Sequence, residues 1–262
     1  MPETQAGAPG VGDAVAPEAD GAVEPGVGGA SGAGRGVAPG AGGVAGRTVV
    51  IAGATSASGA AAARMLATEG AHVIAVGRDD ARLAPLRALG AQTAECDLGD
   101  EASVTALAAR LHADGERIDG VLHLVGGWRG GGGLPGQTDA DFRFLEGGLT
   151  ALRHVTRAFW ADLLASPAAR VAIVSSTAVA RPLAGGANYA AVKAAEEAWA
   201  RALAQGFAKE ARDGGHALRA ASTVFRVRAL DGLETELAHA FCGLWSAAAP
   251  DVNDRIIDLA GA

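Results

Sequence analysis

The sequence predicts a doubly wound α/β fold, in which a parallel sheet of about seven strands carries helices on both faces. From Arg47 onward, short β-branched runs alternate with longer Ala-, Leu- and Arg-rich segments. That alternation is typical of β-α units joined by right-handed crossovers. The strand candidates are nearly continuous apolar runs, as expected where both faces of a sheet are covered. The 262 residues are 49% hydrophobic, enough for one substantial core.

Seven segments have the short, apolar character of buried strands: Thr48–Ala52, His72–Val76, Gln92–Cys96, Gly120–Val125, Val171–Ser175, Leu218–Val224 and Arg255–Leu259. Six segments between them have the length and composition of helices: Ser58–Glu69, Ala81–Leu89, Glu101–Ala113, Asp139–Ala165, Asn188–Ala211 and Leu233–Ala247. A doubly wound sheet binds its ligand at the carboxyl ends of the strands. We therefore expect functional residues where the strands end.

Residues 1–46 are mostly Gly, Ala and Pro without apolar periodicity. Such a segment cannot bury enough surface to offset its ordering entropy, so we expect a disordered tail before a single domain of residues 47–262. An arm that binds a partner is the alternative for this segment. The start of the chain has neither the basic and apolar regions of a signal peptide nor the arginines of a transit peptide.

The charge and cysteine content excludes several functional classes. The formal net charge is −7 and no basic stripe is present, which argues against nucleic acid as a partner. Cys96 and Cys242 form no CxxC pair and the six histidines show no HxxxH spacing, so neither a disulfide framework nor a metal site is expected. No apolar run is long enough to span a membrane. A reducing cytoplasm fits these features.

A glycine-rich turn follows the first strand and leads into an alanine-rich helix. Glycine at the strand end permits a tight turn, and small residues let backbone N–H groups approach a pyrophosphate at the helix N-terminus. The residues that we expect to line such a cofactor are Gly53, Thr55, Ser56, Ala57, Ser58 and Gly59. Turns of this composition also form purely for packing.

The end of the second strand favours NADP(H) over NAD(H). A residue that reads the ribose is expected about 20 positions after the glycine turn. An acidic side chain there would accept hydrogen bonds from a 2′-hydroxyl, but the chain has Gly77 followed by Arg78. A guanidinium suits a 2′-phosphate by its charge and its forked donors. The alternative is that Arg78 is an ordinary solvated arginine.

Three residues form the candidate catalytic set: Ser176, Tyr189 and Lys193. Tyr189 is the one tyrosine of the chain, and Lys193 is one of two lysines. Side chains at i and i+4 share a helix face, and a nearby ammonium favours a phenolate, so the pair is suited to proton transfer near neutral pH. Ser176 could position the same substrate oxygen. Alternatively, Tyr189 is a boundary residue and Lys193 a solvated lysine.

Together these residues resemble the short-chain dehydrogenase/reductase family from Arg47 to the C-terminus. Gly53 and Gly59 match the first and third glycines of its T-G-x-x-x-G-x-G motif, while Ala52 and Ala57 depart from it. The resemblance implies a Rossmann-type sheet and hydride transfer to or from a nicotinamide. It also implies a homodimer or homotetramer.

The resemblance also implies roles for particular residues. Tyr189 would be the acid/base, Lys193 would bind the nicotinamide ribose hydroxyls, and Ser176 would bind the substrate oxygen. Further cofactor contacts would come from residues after the third and fourth strands: Asp97, Leu98, Val125 and Gly126.

Three positions depart from the family pattern. His123-Leu-Val-Gly126 stands where N-N-A-G is usual, Gly148 aligns with an asparagine that commonly helps a proton relay, and Phe225-Arg226 replaces a Pro-Gly pair. His123 could supply a polar contact or act as a pH-sensitive group. The other interpretation is a histidine satisfied by nearby backbone.

A glycine-rich stretch follows the fourth strand, at residues 126–133. Its glycines favour a mobile lid over the site. Trp128 could then form an apolar wall, and Arg129 could contact an anionic substrate or a cofactor phosphate. An exposed loop without a role is the alternative.

The sequence therefore predicts an NADP(H)-dependent oxidoreductase that acts on a carbonyl or alcohol substrate. One alternative is a sensor or scaffold protein that binds NADP(H) with little or no turnover, which the changes at Gly148 and Phe225-Arg226 would favour. Another is a methyltransferase that binds S-adenosylmethionine, but this alternative does not explain Tyr189 and Lys193.

Overall fold

A computed structural model of the protein describes residues 43–259 and confirms the doubly wound architecture. All seven strands are parallel, in the order β3-β2-β1-β4-β5-β6-β7. The strands are β1 (Thr48–Ala52), β2 (His72–Gly77), β3 (Gln92–Glu95), β4 (Gly120–His123), β5 (Arg170–Ser176), β6 (Ala221–Val227) and β7 (Arg255–Asp258). The helices are α1 (Ala57–Thr68), α2 (Asp80–Arg87), α3 (Glu101–Ala113), α4 (Asp139–Ala158), α5 (Trp160–Ala165), α6 (Ala187–Asp213), α7 (Glu234–Gly243) and α8 (Ala249–Val252).

The predicted tail falls almost wholly outside the described residues, which include only its last four positions. Within these, Val44 is 3% exposed and packs into the core, and the N–H of Gly46 donates to the carbonyl oxygen of Gly70 at 2.8 Å. The packed domain therefore includes residues just before β1.

Alternate residues of the strands face two separate core layers. Val49 and Ile51 of β1 pack with residues of α1, α2 and α7, whereas Val50 and Ala52 pack with residues of α3, α4 and α6. This alternation follows from the two-residue period of a strand. It explains why β1, β2 and β4, in the middle of the sheet, are apolar along most of their length. In residues 43–259, no helix combines the length and the apolar character needed to cross a membrane.

Several element boundaries differ from the predicted ones, and three of these differences concern the site, at β4, α4 and β6. β4 ends at His123 rather than at Val125, since His123 pairs with Ala52, the residue at which β1 ends. The predicted helix Asp139–Ala165 is broken at Phe159, whose backbone leaves the helical conformation (φ −101°, ψ 11°) while its side chain is fully buried.

The third difference is the position of β6, which begins and ends three residues later than predicted. Phe225 and Arg226 lie inside this strand, paired with Val174 and Ser175 of β5, and not in the turn that follows it. A proline at this point would lack the backbone donor that a central ladder needs. Because the chain has phenylalanine there, the ladder continues to Ser176 and Val227.

The strand order reverses at β1, which lies between β2 and β4. Chain connections leave a crevice at such a switch point, outside the carboxyl ends of the strands. The predicted site residues lie on the turns and helices that follow β1, β2, β3, β4 and β5.

Candidate functional site

The turn after β1 is packed so tightly that two of its positions accept only glycine. Gly53 has a φ of +84°, and a Cβ there would lie 2.9 Å from the backbone nitrogen of Val125. A Cβ at Gly59 would overlap the carbonyl oxygen of Ala54 and lie 2.7 Å from its Cα. These glycines bring the start of α1 against the end of β1, beside the segment after β4.

The first turn of α1 presents small residues and backbone amides to the crevice. Ser56 caps the helix by accepting a hydrogen bond from the N–H of Gly59 at 3.0 Å. Ala57 is exposed, whereas Ser58 is buried. The first N–H groups of a helix lack intrahelical partners and favour an anion. The start of α1 thus has the kind of backbone donors that a pyrophosphate would require.

At the end of β2, Gly77 is buried against the glycine turn, and a Cβ there would lie 2.9 Å from Cγ2 of Thr55. An acidic side chain would therefore require Thr55 to move. Arg78 follows on the surface. A second arginine, Arg82 on α2, donates from Nη2 to the carbonyl oxygen of Thr55 at 3.2 Å. Arg82 is not among the residues predicted from the sequence, although its position four residues after Arg78 was a usable signal.

Asp97 and Leu98 lie directly after β3, at the same edge of the sheet. The carboxylate of exposed Asp97 accepts the N–H of Gly99 at 2.9 Å, and Leu98 is 5% exposed, with its carbonyl oxygen 3.1 Å from Nδ1 of His154. The turn thus has a fixed conformation that holds Asp97 at the surface.

The end of β4 is built around a buried, neutral histidine. Nε2 of His123 donates to the carbonyl oxygen of Gly148 at 3.1 Å, while Nδ1 is buried without a hydrogen-bond partner among the described residues. Burial, together with the charge of Lys193, lowers the pKa of His123 to about 3. The imidazole therefore stays neutral at physiological pH, which favours the other interpretation, a histidine hydrogen-bonded to nearby backbone. Its observed role is to fasten α4 to β4.

Val125 and Gly126 line the space between α4 and α6. The carbonyl oxygen of Val125 would lie 3.0 Å from a Cβ at Gly148, and a Cβ at Gly126 would lie 3.6 Å from Nζ of Lys193. The predicted cofactor-binding segment after β4 thus borders one of the predicted catalytic residues.

The three predicted catalytic residues lie on β5 and α6. Ser176 ends β5 and is 4% exposed; its hydroxyl accepts the N–H of Ala178 at 3.1 Å. Tyr189 is half-buried in the first turn of α6, and Lys193 lies one turn later. Nζ of Lys193 donates to the carbonyl oxygen of Val174 at 3.0 Å. This bond joins α6 to β5 two residues before Ser176.

Two buried glutamates follow on α6, and neither was singled out by the sequence analysis. Glu196 is 1% exposed and accepts from Nζ of Lys193 at 2.7 Å. Glu197 accepts a bidentate pair from Arg226 of β6, at 2.6 Å and 2.8 Å, and the hydroxyl of Ser175 at 2.7 Å. A pair of adjacent glutamates on a helix usually indicates a solvated face, so their sequence gave little signal of burial.

The glycine-rich segment after β4 is tied to the chain before α6. The N–H of Gly131 donates to the carbonyl oxygen of Gly185 at 2.7 Å. The amide of Gln137 donates to the carbonyl oxygens of Gly131 and Gly185, at 3.1 Å and 2.9 Å, and accepts the N–H of Asn188 at 3.1 Å. Gln137 therefore joins this loop to the residue before Tyr189.

Trp128 and Arg129 lie within the same loop and are both half-buried. The guanidinium of Arg129 lies 3.8 Å above the ring centroid of Phe144 on α4, and its Nη1 donates to the carbonyl oxygen of Trp128 at 2.8 Å. A cation over an aromatic face is a stabilising contact. Arg129 thus fixes the loop against α4.

The chain is similar to known proteins in both sequence and fold. The sequence pattern of the family described as short chain dehydrogenase matches residues 47–211. An uncharacterized oxidoreductase of Mycobacterium tuberculosis (strain ATCC 25618 / H37Rv) is 32% identical over 216 residues, which cover 80% of this chain and 83% of that protein.

Two further similarities are more limited. A protein named as a daunorubicin C-13 ketoreductase in Streptomyces sp. (strain C5) is 41% identical over 93 residues, but the match spans only 32% of that relative and 33% of this chain. The crystal structure of a metagenomic short-chain oxidoreductase in complex with NADP superposes with a TM-score of 0.71 at 23% identity, covering 83% of this chain and 99% of that one. The sheet, the matched sequence pattern and the relative that is similar over most of its length lead to one conclusion: this chain belongs to the short-chain dehydrogenase/reductase family, whose members are oxidoreductases that act on CH–OH and C=O groups.

Proposed function

We propose that the protein is an NADP(H)-dependent oxidoreductase that interconverts a carbonyl and an alcohol, with Tyr189 as its acid/base. The observation that carries this proposal is the bond from Lys193 to β5. It ties the helix turn that bears Tyr189 and Lys193 to the strand that ends at Ser176. A phenol, an ammonium and a hydroxyl at one end of the sheet can position a substrate oxygen and exchange a proton with it.

The chain's own residues would divide the reaction as follows. Ser176 donates a hydrogen bond to the substrate oxygen and fixes its position. Tyr189 gives a proton to that oxygen in reduction and takes it back in oxidation. Lys193 stabilises the phenolate form of Tyr189. A bound nicotinamide would supply or accept the hydride.

The cofactor would be held by the glycine turn and the ends of β2, β3 and β4. The amides at the start of α1 suit a pyrophosphate, and Asp97 would contact the adenine. The space at Gly77 and the charges of Arg78 and Arg82 favour a 2′-phosphate over a free 2′-hydroxyl. NADP(H) is therefore the proposed cofactor in preference to NAD(H), and the NADP complex of the metagenomic relative is in keeping with this choice.

We expect ketone reduction as the main direction, since NADP(H) is the proposed cofactor and one relative is named as a ketoreductase. The reaction would proceed in a reducing cytoplasm, in keeping with the two free cysteines.

A homodimer or homotetramer is the proposed assembly. An apolar groove of about 460 Å³ on α4, α5 and α6 gives this proposal a surface; it is lined by Thr156, Trp160, Trp199, Leu203 and Gly206, among others. Light scattering on the purified protein tests the assembly.

The alternative is a sensor that binds NADP(H) without turnover. It is favoured by Gly148, which stands where an asparagine commonly helps a proton relay in the family. The two functions differ in one measurement.

The test asks whether the protein consumes NADPH in the presence of a panel of ketones and aldehydes. The loss of absorbance at the nicotinamide band measures this consumption. Tyr189→Phe should abolish turnover and leave NADPH affinity nearly unchanged, with Ser176→Ala as a second inactive variant. Turnover that survives in Tyr189→Phe would refute the proposed mechanism. NADPH binding without consumption across the panel would establish the sensor instead.

A further inference from the structure

Position 148 on α4 has no side chain, and a carboxylate from another helix fills the space beside it. A Cβ at Gly148 would lie 3.0 Å from Oε1 of Glu196 and 3.0 Å from the carbonyl oxygen of Val125. The Glu196 carboxylate therefore lies between α4 and the segment after β4. Its 1% exposure requires a partner of opposite charge or several hydrogen bonds.

Lys193 is that partner. Its Nζ donates to Oε2 of Glu196 at 2.7 Å and to the carbonyl oxygen of Val174 at 3.0 Å. An ammonium has three N–H donors, so these two bonds fix its position and leave one donor available. Gly126, in the segment expected to contact the cofactor, lies next to this ammonium.

We infer that Glu196 is the positioning residue for Lys193, an inference that rests on the proposed function. The family pattern has an asparagine on α4 at the position of Gly148. In this chain the polar group at that place comes from Glu196 on α6. It holds the ammonium against β5, so that the remaining N–H serves the cofactor or the phenol. Glycine at 148 and glutamate at 196 are then two parts of one arrangement, because a larger residue at 148 would displace the carboxylate.

The charges around Glu196 determine how this pair responds to pH. Burial raises the pKa of Glu196, and the ammonium of Lys193 only partly offsets this, so the pKa stays above its usual value. The other titratable groups nearby are Tyr189 and Glu197 on α6, and His123 on β4, which stays neutral. Falling pH therefore protonates Glu196 and weakens its hold on Lys193.

Glu197 offers a matched control one residue away. It is also buried, but its partners are Arg226 and Ser175 rather than Lys193. Although burial alone raises the pKa of Glu197, the hydrogen bonds from Arg226 and Ser175 outweigh it and hold that pKa below its usual value. Glu197→Gln thus removes a buried carboxylate of the same helix without touching the ammonium.

The composition of the chain makes a direct test possible, because only Lys193 and Lys209 are lysines. In protein labelled with ¹³C and ¹⁵N in its lysines, NMR gives two side-chain signals, and Lys209→Arg assigns them. We expect the Lys193 signal to follow a titration above the usual pKa of a glutamate in the wild type and in Glu197→Gln, and to lose it in Glu196→Gln. An unchanged titration in Glu196→Gln, its loss in Glu197→Gln, or no titration in the wild type would overturn the inference.

Kinetics test the same inference through the reaction. We expect Glu196→Gln to lower kcat for ketone reduction by about 10- to 100-fold, the loss typical of a displaced reacting group. KM for the ketone and the affinity for NADPH should change by less than about threefold. Glu197→Gln should keep kcat within about threefold and lose only thermal stability. Equal losses of kcat in the two variants would contradict the assignment.

A double variant distinguishes a positioning role of Glu196 from a role in folding alone. Gly148→Asn with Glu196→Ala moves the polar side chain from α6 to α4, and it should regain much of the kcat lost in Glu196→Ala alone. No recovery in a double variant that binds NADPH normally would overturn the inference. If the wild type consumes no NADPH with any carbonyl, the proposed function fails, and the Lys193 signal alone still decides whether Glu196 holds Lys193.

Discussion

Replacing Arg226 by methionine should destabilise the protein strongly, because it strands a buried carboxylate. Arg226 lies inside β6, where its guanidinium meets both oxygens of Glu197 at 2.8 Å and 2.6 Å. The side chain of Glu197 is 8% exposed and that of Arg226 is 21% exposed. Once Arg226 is gone, Ser175 is the remaining described partner of Glu197.

The size of the loss follows from the burial of the pair. Removing one partner of a buried ion pair costs about 3–5 kcal/mol. Because Arg226 is partly exposed, we expect the lower end of this range, about 3 kcal/mol. For a domain of this size, about 2–4 °C of Tm corresponds to each kcal/mol, so Tm should fall by roughly 6–12 °C.

Urea denaturation at pH 7 measures the free energy of unfolding, and calorimetry measures Tm. A double variant, Arg226→Met with Glu197→Met, should recover most of the stability because no unpaired charge remains. Since Arg226 holds the pKa of Glu197 low, its contribution is present above the unfolded pKa of about 4.3 and is lost as the pH falls through the folded pKa. The reasoning is refuted if Arg226→Met costs less than about 1 kcal/mol at pH 7, the value of a surface pair.

Three further predictions concern the cofactor crevice and the buried imidazole. Arg78→Ala and Arg82→Ala should each weaken NADPH binding by about tenfold or more and leave NADH binding unchanged, as titration calorimetry would reveal; equal losses for both cofactors would exclude a role in 2′-phosphate binding. Gly59→Ala should overlap the Ala54 carbonyl and lower stability by about 1–3 kcal/mol with loss of NADPH affinity, whereas a variant of wild-type Tm would contradict the tight turn. The pKa of His123 is about 3 in the folded chain and about 6.5 unfolded, so the wild type should lose stability as pH falls below about 6.5, at up to about 1.4 kcal/mol per pH unit. His123→Gln should flatten that dependence, which urea denaturation at several pH values would measure. A slope equal to that of the wild type would contradict the prediction.

The sheet could be predicted from the sequence because most of the strands have a local signature of apolar, β-branched residues. The ends of the strands were harder to predict. Whether β6 continues through Phe225 and Arg226 depends on the partner strand, since the same residues could form a turn if β5 ended earlier. A local pattern carries no information about how far its neighbour extends.

The candidate site likewise has one part that could be predicted from the sequence and one part that could not. Tyr189 and Lys193 stand out because the chain has so few tyrosines and lysines and because their spacing fits one helix face, and Ser176 stands out because it follows an apolar strand. The burial of Glu196 could not be anticipated, because it depends on the empty space at Gly148, 48 positions earlier in the sequence. Each residue is unremarkable alone, and their relation exists only after α4 and α6 pack together.

The side chain of Gln137 has a consequence for how a substrate reaches the site. One amide group fastens the glycine-rich loop and, through Asn188, the start of the helix that carries Tyr189. Entry of the substrate and alignment of Tyr189 are therefore coupled. A bulky molecule that pushes the loop outward also pulls on the helix turn that carries the phenol. The size of the substrate would then affect the reaction rate as well as the affinity. This effect would need no contact between the distant part of the substrate and Tyr189.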